Sequence, residues 1–126
     1  MNKTRVLVIE DEKQMFDLMR FMMERAGYTF EYMEPTGPIV QHLLDNDFQV
    51  LISDFIMPIK NGLEVIREVR HHSELKSLPI LLLTSKELLV NETKEVASLK
   101  VDYMRKPFVP QVLSSKLKEM VERSAT

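Results

Sequence analysis

The sequence predicts an α/β domain: a doubly wound, five-stranded parallel sheet in the order 2-1-3-4-5, with helices on both faces. Three observations predict it. Short, almost wholly apolar runs (VLVI, VLI, ILLL) alternate with longer segments whose apolar residues recur at helical spacing. Strands so apolar are buried on both faces, and joining them through helices by short connections calls for right-handed crossovers into a parallel sheet. Each run also stops abruptly at polar residues, which places acids, a hydroxyl and an amine at strand ends.

The first strand covers residues 4–9 (TRVLVI), and Glu10, Asp11 and Glu12 follow at once. A helix then runs to Ala26, with Met15, Leu18, Met19, Met22 and Met23 as its expected inward face and Gly27 as its stop. The methionine stripe reads as core filler rather than as an adaptable binding groove. Asp11 with Gln14 also fits a capping box, which would make Asp11 a helix cap. Residues 28–33 read as a second, partly alternating strand. Pro35, Thr36, Gly37 and Pro38 stiffen the next connection, and a short helix to about Leu44 is closed by Asp45, Asn46 and Asp47.

The third strand starts at Val50 and ends near Asp54; Pro58 and Asn61-Gly62 then open a helix with Leu63, Val65, Ile66 and Val69 on one face, reaching His72. Residues 79–83 (PILLL) form an interior strand ending at Thr84-Ser85. Leu88, Leu89, Glu92, Val96 and Leu99 mark a weaker amphipathic helix, residues 101–105 an edge strand with polar positions, and residues 110–123 the last helix.

Composition narrows the function. A chain of 126 residues with 44% hydrophobic and 29% charged residues suits one domain over residues 1–126. No apolar run approaches the ~20 residues of a membrane span, and the start lacks a secretory pattern, so the expected address is the cytoplasm, away from membranes. The absence of cysteine excludes disulfides and thiolate chemistry. A net charge of -2 without a basic block argues against direct nucleic-acid binding, which needs clustered cations.

In a parallel sheet the carboxyl ends of the strands line one rim, where ligands bind. Glu10 and Asp11, Asp54, Thr84 and Lys106 all fall there. Each has a local reading as a cap or turn residue, but those readings do not explain their convergence. Three neighbouring carboxylates repel one another and must take up protons or a cation. All-oxygen ligands suit Mg²⁺, which commonly pairs one or two carboxylates with phosphate oxygens. A phosphoryl group at Asp54 would offer oxygens to such a metal, to Lys106 and to Thr84, and a carboxylate can itself accept it as an aspartyl-phosphate.

With VLVIEDE, LISDFIMPIKNG, ILLLTS and DYMRKPF in this order and spacing, the chain resembles the response-regulator receiver domain of two-component signalling over essentially its whole length. The resemblance implies the flavodoxin-like fold, Asp54 as phosphoacceptor, and Glu10, Asp11, Asp54 and the Ile56 backbone carbonyl around Mg²⁺. It further implies that Thr84 bonds the phosphoryl group, Lys106 pairs with it, Tyr103 is the aromatic switch coupled to Thr84, and Lys106-Pro107 is cis. The domain would catalyse its own phosphorylation and dephosphorylation. The phosphodonor would be a histidine kinase or phosphotransfer domain, and the surface of the fourth helix, fifth strand and fifth helix would engage a downstream protein or output domain, or form a phosphorylation-dependent dimer. No output domain follows Thr126, which fits a stand-alone relay or a fragment of a larger regulator.

Two departures matter. Many receivers carry Gly-Ala where this chain has Leu99-Lys100, which puts the end of the fourth helix in question. Ile56 and Lys86 occupy positions that in the resembling family flank the path of the hydrolytic water, so a long-lived aspartyl-phosphate is expected. Among rival classes, an aspartate-nucleophile phosphatase would need a second Asp where Ile56 stands, and a dinucleotide-binding enzyme would need glycines where Glu10, Asp11 and Glu12 stand. The alternative that survives is a receiver fold used as a phosphorylation-independent interaction module. His71 and His72, being adjacent on a helix, point about 100° apart and read as exposed side chains rather than a metal site.

Overall fold

The structure is a computed structural model and describes residues 3–125. Its elements are β1 (Thr4–Ile9), α1 (Lys13–Glu24), β2 (Tyr28–Met33), α2 (Ile39–Asp45), β3 (Val50–Asp54), α3 (Gly62–His71), β4 (Ile80–Thr84), α4 (Val90–Ser98), β5 (Asp102–Arg105) and α5 (Pro110–Ala125). A 3₁₀ turn, Ser73–Leu75, sits between α3 and β4. The strands form one sheet in the order β2-β1-β3-β4-β5, and every pairing is parallel, as the alternation of elements predicts.

Successive strand side chains face opposite ways, so the sheet divides the core in two. Leu7, Ile9, Leu51, Ile80 and Leu82 pack with residues of α2, α3 and α4. On the other face Val6, Val8, Val50, Ile52, Leu81 and Leu83 pack with α1 and α5 through Phe16, Met19, Met23, Leu113, Leu117 and Met120. Burying each such aliphatic side chain stabilises by roughly 1.5–3 kcal/mol, which is why the three central strands tolerate almost no polar residue before their ends.

Several local expectations change. Phe16, Met19 and Met23 are the buried residues of α1, whereas Met15 and Leu18 are exposed and Met22 is only partly buried. Apolar residues cover more than one arc of this helix, and packing of Phe16 against Tyr32, with ring centroids 5.1 Å apart, selects the arc. The helix ends at Glu24, and Gly27 lies beyond it with φ 96. Its N-cap is Glu12 and no side chain caps it, so the capping box expected of Asp11 and Gln14 does not form.

The end of α4 is resolved in favour of a regular stop. Lys100 takes φ 57 in place of a glycine. Its N–H donates to Ala97 O (3.1 Å) and the Val101 N–H to Val96 O (3.1 Å), which is a Schellman motif, closed by burial of Val96 and Val101 in one cluster. Val101 is thus consumed by the cap, and β5 begins one residue later than predicted. Arg70 of α3 holds the same corner, donating to Leu99 O (2.8 Å), Lys100 O (3.1 Å) and Leu75 O (2.8 Å).

Candidate functional site

The carboxyl rim is built by β1, β3, β4 and the residues after β5. Parallel registry places Ile9 beside Ser53 and Asp54 beside Leu83, so the first residues past β1 sit next to Asp54. Glu10 and Asp54 are buried, with Glu10 2% exposed and Asp54 8%, while Asp11 is exposed. One carboxylate oxygen from each of the three lies within 4.8 Å of the others. Lys106 Nζ stands 3.0 Å from Asp54 Oδ1 and 3.8 Å from Glu10 Oε2. The Lys106-Pro107 bond is cis, and the Lys106 N–H donates to Thr84 O at 2.8 Å, which ties the lysine's backbone to the end of β4.

Backbone donors complete the cradle, and sequence reasoning had no signal for them. Glu10 Oε1 accepts from the N–H groups of Asp11 (3.2 Å) and Glu12 (3.3 Å), and Asp54 Oδ1 accepts from the Phe55 N–H (3.1 Å). No hydrogen bond reaches Asp54 Oδ2 from the described residues. Burial pushes the Glu10 carboxyl up to about 7, with the Asp54 charge adding to the rise and Lys106 opposing it. Burial likewise raises Asp54, against the pull of its Lys106 hydrogen bond. One ammonium therefore does not neutralise this cluster.

That imbalance tests the site for a metal. Three convergent carboxylates, two of them buried, with all-oxygen donors and an open side at Asp11, fit a hard divalent cation such as Mg²⁺. Ile56 lies two residues beyond Asp54 with a side chain 52% exposed, and its carbonyl accepts no hydrogen bond among the described residues.

Thr84 is buried at the end of β4, where its hydroxyl donates to Lys86 O (2.9 Å) and accepts from the Lys86 N–H (3.1 Å). Tyr103, in registry with Leu82, is 47% exposed and so turned outward from the sheet. Lys86 Nζ pairs with Glu92 Oε1 (2.8 Å) and lies 5.0 Å from the centre of the Phe55 ring. His71 and His72 are exposed and belong to no metal-competent cluster among the described residues.

The loop after β3 returns to the site through α3. Asn61 caps that helix reciprocally with Glu64, its Oδ1 accepting the Glu64 N–H at 3.0 Å. Gly62 then packs directly under Asp54: a Cβ there would lie 2.4 Å from Asp54 O. The pair Asn61-Gly62 thus serves a helix cap and a close backbone approach.

A family model described as "Response regulator receiver domain" matches residues 6–118. The chain belongs to this family. As a receiver domain it is similar to the chemotaxis protein CheY1 of Helicobacter pylori, 33% identical over 118 residues, covering 90% of this chain and 93% of that protein. It is 30% identical over 124 residues to the transcriptional regulatory protein ResD of Bacillus subtilis, covering 98% of this chain. The receiver domain spans about half the length of ResD and of GltR from Pseudomonas aeruginosa, 50% and 51% respectively. Among solved structures, a putative response regulator from Chloroflexus aurantiacus superposes with a TM-score of 0.85 at 26% identity, covering 97% of this chain and all of that one. The chemotaxis protein CheY4 of Vibrio cholerae gives 0.84 at 28%, covering 94% and 99%. No helix among the described residues is long and apolar enough to cross a membrane.

Proposed function

We propose that residues 1–126 act as one phosphoacceptor unit in the cytoplasm, taking a phosphoryl group onto Asp54 from a phosphohistidine of a histidine kinase or phosphotransfer domain. The carrying observation is the meeting of Lys106 and Asp54 at 3.0 Å in a pocket with two further acids. Asp54 Oδ2, which accepts no hydrogen bond among the described residues, attacks phosphorus; the O–P bond forms as the N–P bond breaks, and its electron pair returns to the imidazole. Phe55 N–H and Lys106 hold Oδ1 and so aim the nucleophile. Glu10, Asp11, Asp54 and the Ile56 carbonyl would hold Mg²⁺, which supplies charge neutralisation for the transferred group.

The new dianion then competes for Thr84. The Thr84 hydroxyl must leave Lys86 O to donate to a phosphoryl oxygen, which loosens the loop between β4 and α4 and opens space for Tyr103 to turn inward. The surface of α4, β5 and α5 changes with it and is read by a downstream protein, an output domain or a second copy. Incubation with a small phosphodonor and Mg²⁺, followed by intact-mass measurement, tests the reading. Wild type gains one phosphoryl group and Asp54→Ala gains none. Equal labelling of both overturns it, and no labelling of either leaves the phosphorylation-independent interaction module as the better reading.

A further inference from the structure

The amino-terminal ends of β4 and β5, away from Asp54, carry a second charged concavity. It has a volume of about 170 Å³ and is lined by Arg70, Lys76, Ser77, Lys100, Asp102 and Arg123, among others. Four cations from four different segments thus face one acid. That acid is already engaged: Asp102 pairs with Lys116 Nζ (2.7 Å) and Arg123 Nη2 (2.8 Å).

Solvated lysines are common, so the charge count by itself decides little. Arg70 is different. It is half-buried, spends three N–H groups on carbonyl oxygens, and has no carboxylate partner among the described residues. Burial lowers its pKa and no acid offsets that. Lys76 and Lys100 likewise have no acidic partner among the described residues. A guanidinium has five N–H donors, so Arg70 retains two for a ligand. At about 30 Å³ per water molecule, the space suits one tetrahedral oxyanion with a few waters.

We propose that this cavity binds a phosphate group, held by Arg70, Lys76, Lys100 and the Ser77 hydroxyl, with Arg123 at the rim. A phosphate monoester or inorganic phosphate carries about -1.5 to -2 charges near pH 7, which matches several convergent cations better than a single carboxylate does. The group arrives free or on a nucleoside. A wider depression of about 440 Å³ shares Ser77, Leu78, Pro79 and Ser124 with the cavity and places Asn46 and Gln49, together with the acids Asp47 and Glu74, where a nucleoside body would extend.

The test is a two-dimensional ¹⁵N–¹H NMR titration of the whole chain in chelator at constant ionic strength, with inorganic phosphate in one arm and a nucleoside 5′-monophosphate in the other. Saturable shifts are expected at the amides of Arg70, Lys76, Ser77 and Lys100. The double variant Lys76→Ala, Lys100→Asn weakens binding by about tenfold or more while leaving phosphorylation of Asp54 unchanged. Both lysines are exposed, and asparagine tolerates the left-handed backbone at position 100, so the variant is expected to fold. Tighter binding of the nucleotide, with shifts at Asn46 and Gln49, identifies a nucleotide phosphate; equal affinity identifies free phosphate. Shifts confined to the surroundings of Asp54, a non-saturating response, or equal affinity in the double variant overturns the proposal.

Discussion

Gly62→Ala tests how tightly the phosphoacceptor is built into the fold. The added Cβ would lie 2.4 Å from Asp54 O, 2.7 Å from Leu82 Cδ1 and 3.0 Å from Phe55 Cα. Two of these three neighbours are main chain, so rotamer change cannot relieve them. Either the start of α3 retreats, stretching the Gly62 N–H to Phe55 O bond (2.8 Å), or the end of β3 bends and carries Asp54 with it. Overpacking typically costs about 1–3 kcal/mol, and main-chain neighbours place this case at about 2–3 kcal/mol. For 126 residues at ~2.1 cal/mol/K each, that lowers Tm by ~8–11 °C. Thermal denaturation followed by circular dichroism gives the first readout, and phosphorylation by a small donor gives the second, expected to be slower. Gly27→Ala is the control: Gly27 has φ 96 and nothing lies within 4 Å of where its Cβ would stand, so only the backbone cost of ~1 kcal/mol applies and labelling is unaffected. A Gly62→Ala protein melting within ~3 °C of wild type and phosphorylated at the same rate would refute the reasoning.

Lys100→Gly relieves the left-handed conformation at the end of α4 and should stabilise by ~1 kcal/mol, about 4 °C in Tm; an unchanged or lower Tm contradicts the strain. In the metal-free protein Glu10 holds its proton up to about pH 7, against 4.5 ordinarily, so the folded state binds more protons than the unfolded chain between those values. Stability must then fall as pH rises through that window, by up to about 3 kcal/mol, and Mg²⁺ should restore it more at pH 7.5 than at pH 5. Urea denaturation in chelator at the two pH values checks this, and stability that is flat or rising with pH contradicts it. Ile56→Asn and Lys86→Glu should each speed loss of the phosphoryl group about fivefold, equivalent to ~1 kcal/mol of barrier, because the first supplies a polar group to orient water and the second removes the long cation held beside Phe55. Dephosphorylation time courses at equal or slower rate in both variants remove that idea.

The elements and the residues that end them were legible because each depends on features local to a segment, namely the length of an apolar run, the residue type that ends it and the spacing that follows; parallel sense followed from the strand-helix alternation, and the strand order from the usual winding of such sheets. The inward arc of α1 was not legible. Met15 and Leu18 satisfy helical periodicity as well as Phe16 does, and the choice is made by the space beneath Tyr32, across the sheet surface. Asp11 carries two readings in the sequence, a cap with Gln14 and a member of the acidic rim, and the structure keeps the second.

By itself, the order of residues determined the layers of this receiver domain and which groups could meet at its rim, because alternating burial and strand termination are written along the chain. Only the tertiary structure decided the 3.0 Å approach of Lys106 to Asp54, the packing of Gly62 beneath the acceptor's peptide and the corner that Arg70 holds. Those are distances between residues on different elements, and they follow from how whole elements pack rather than from any one segment's preference.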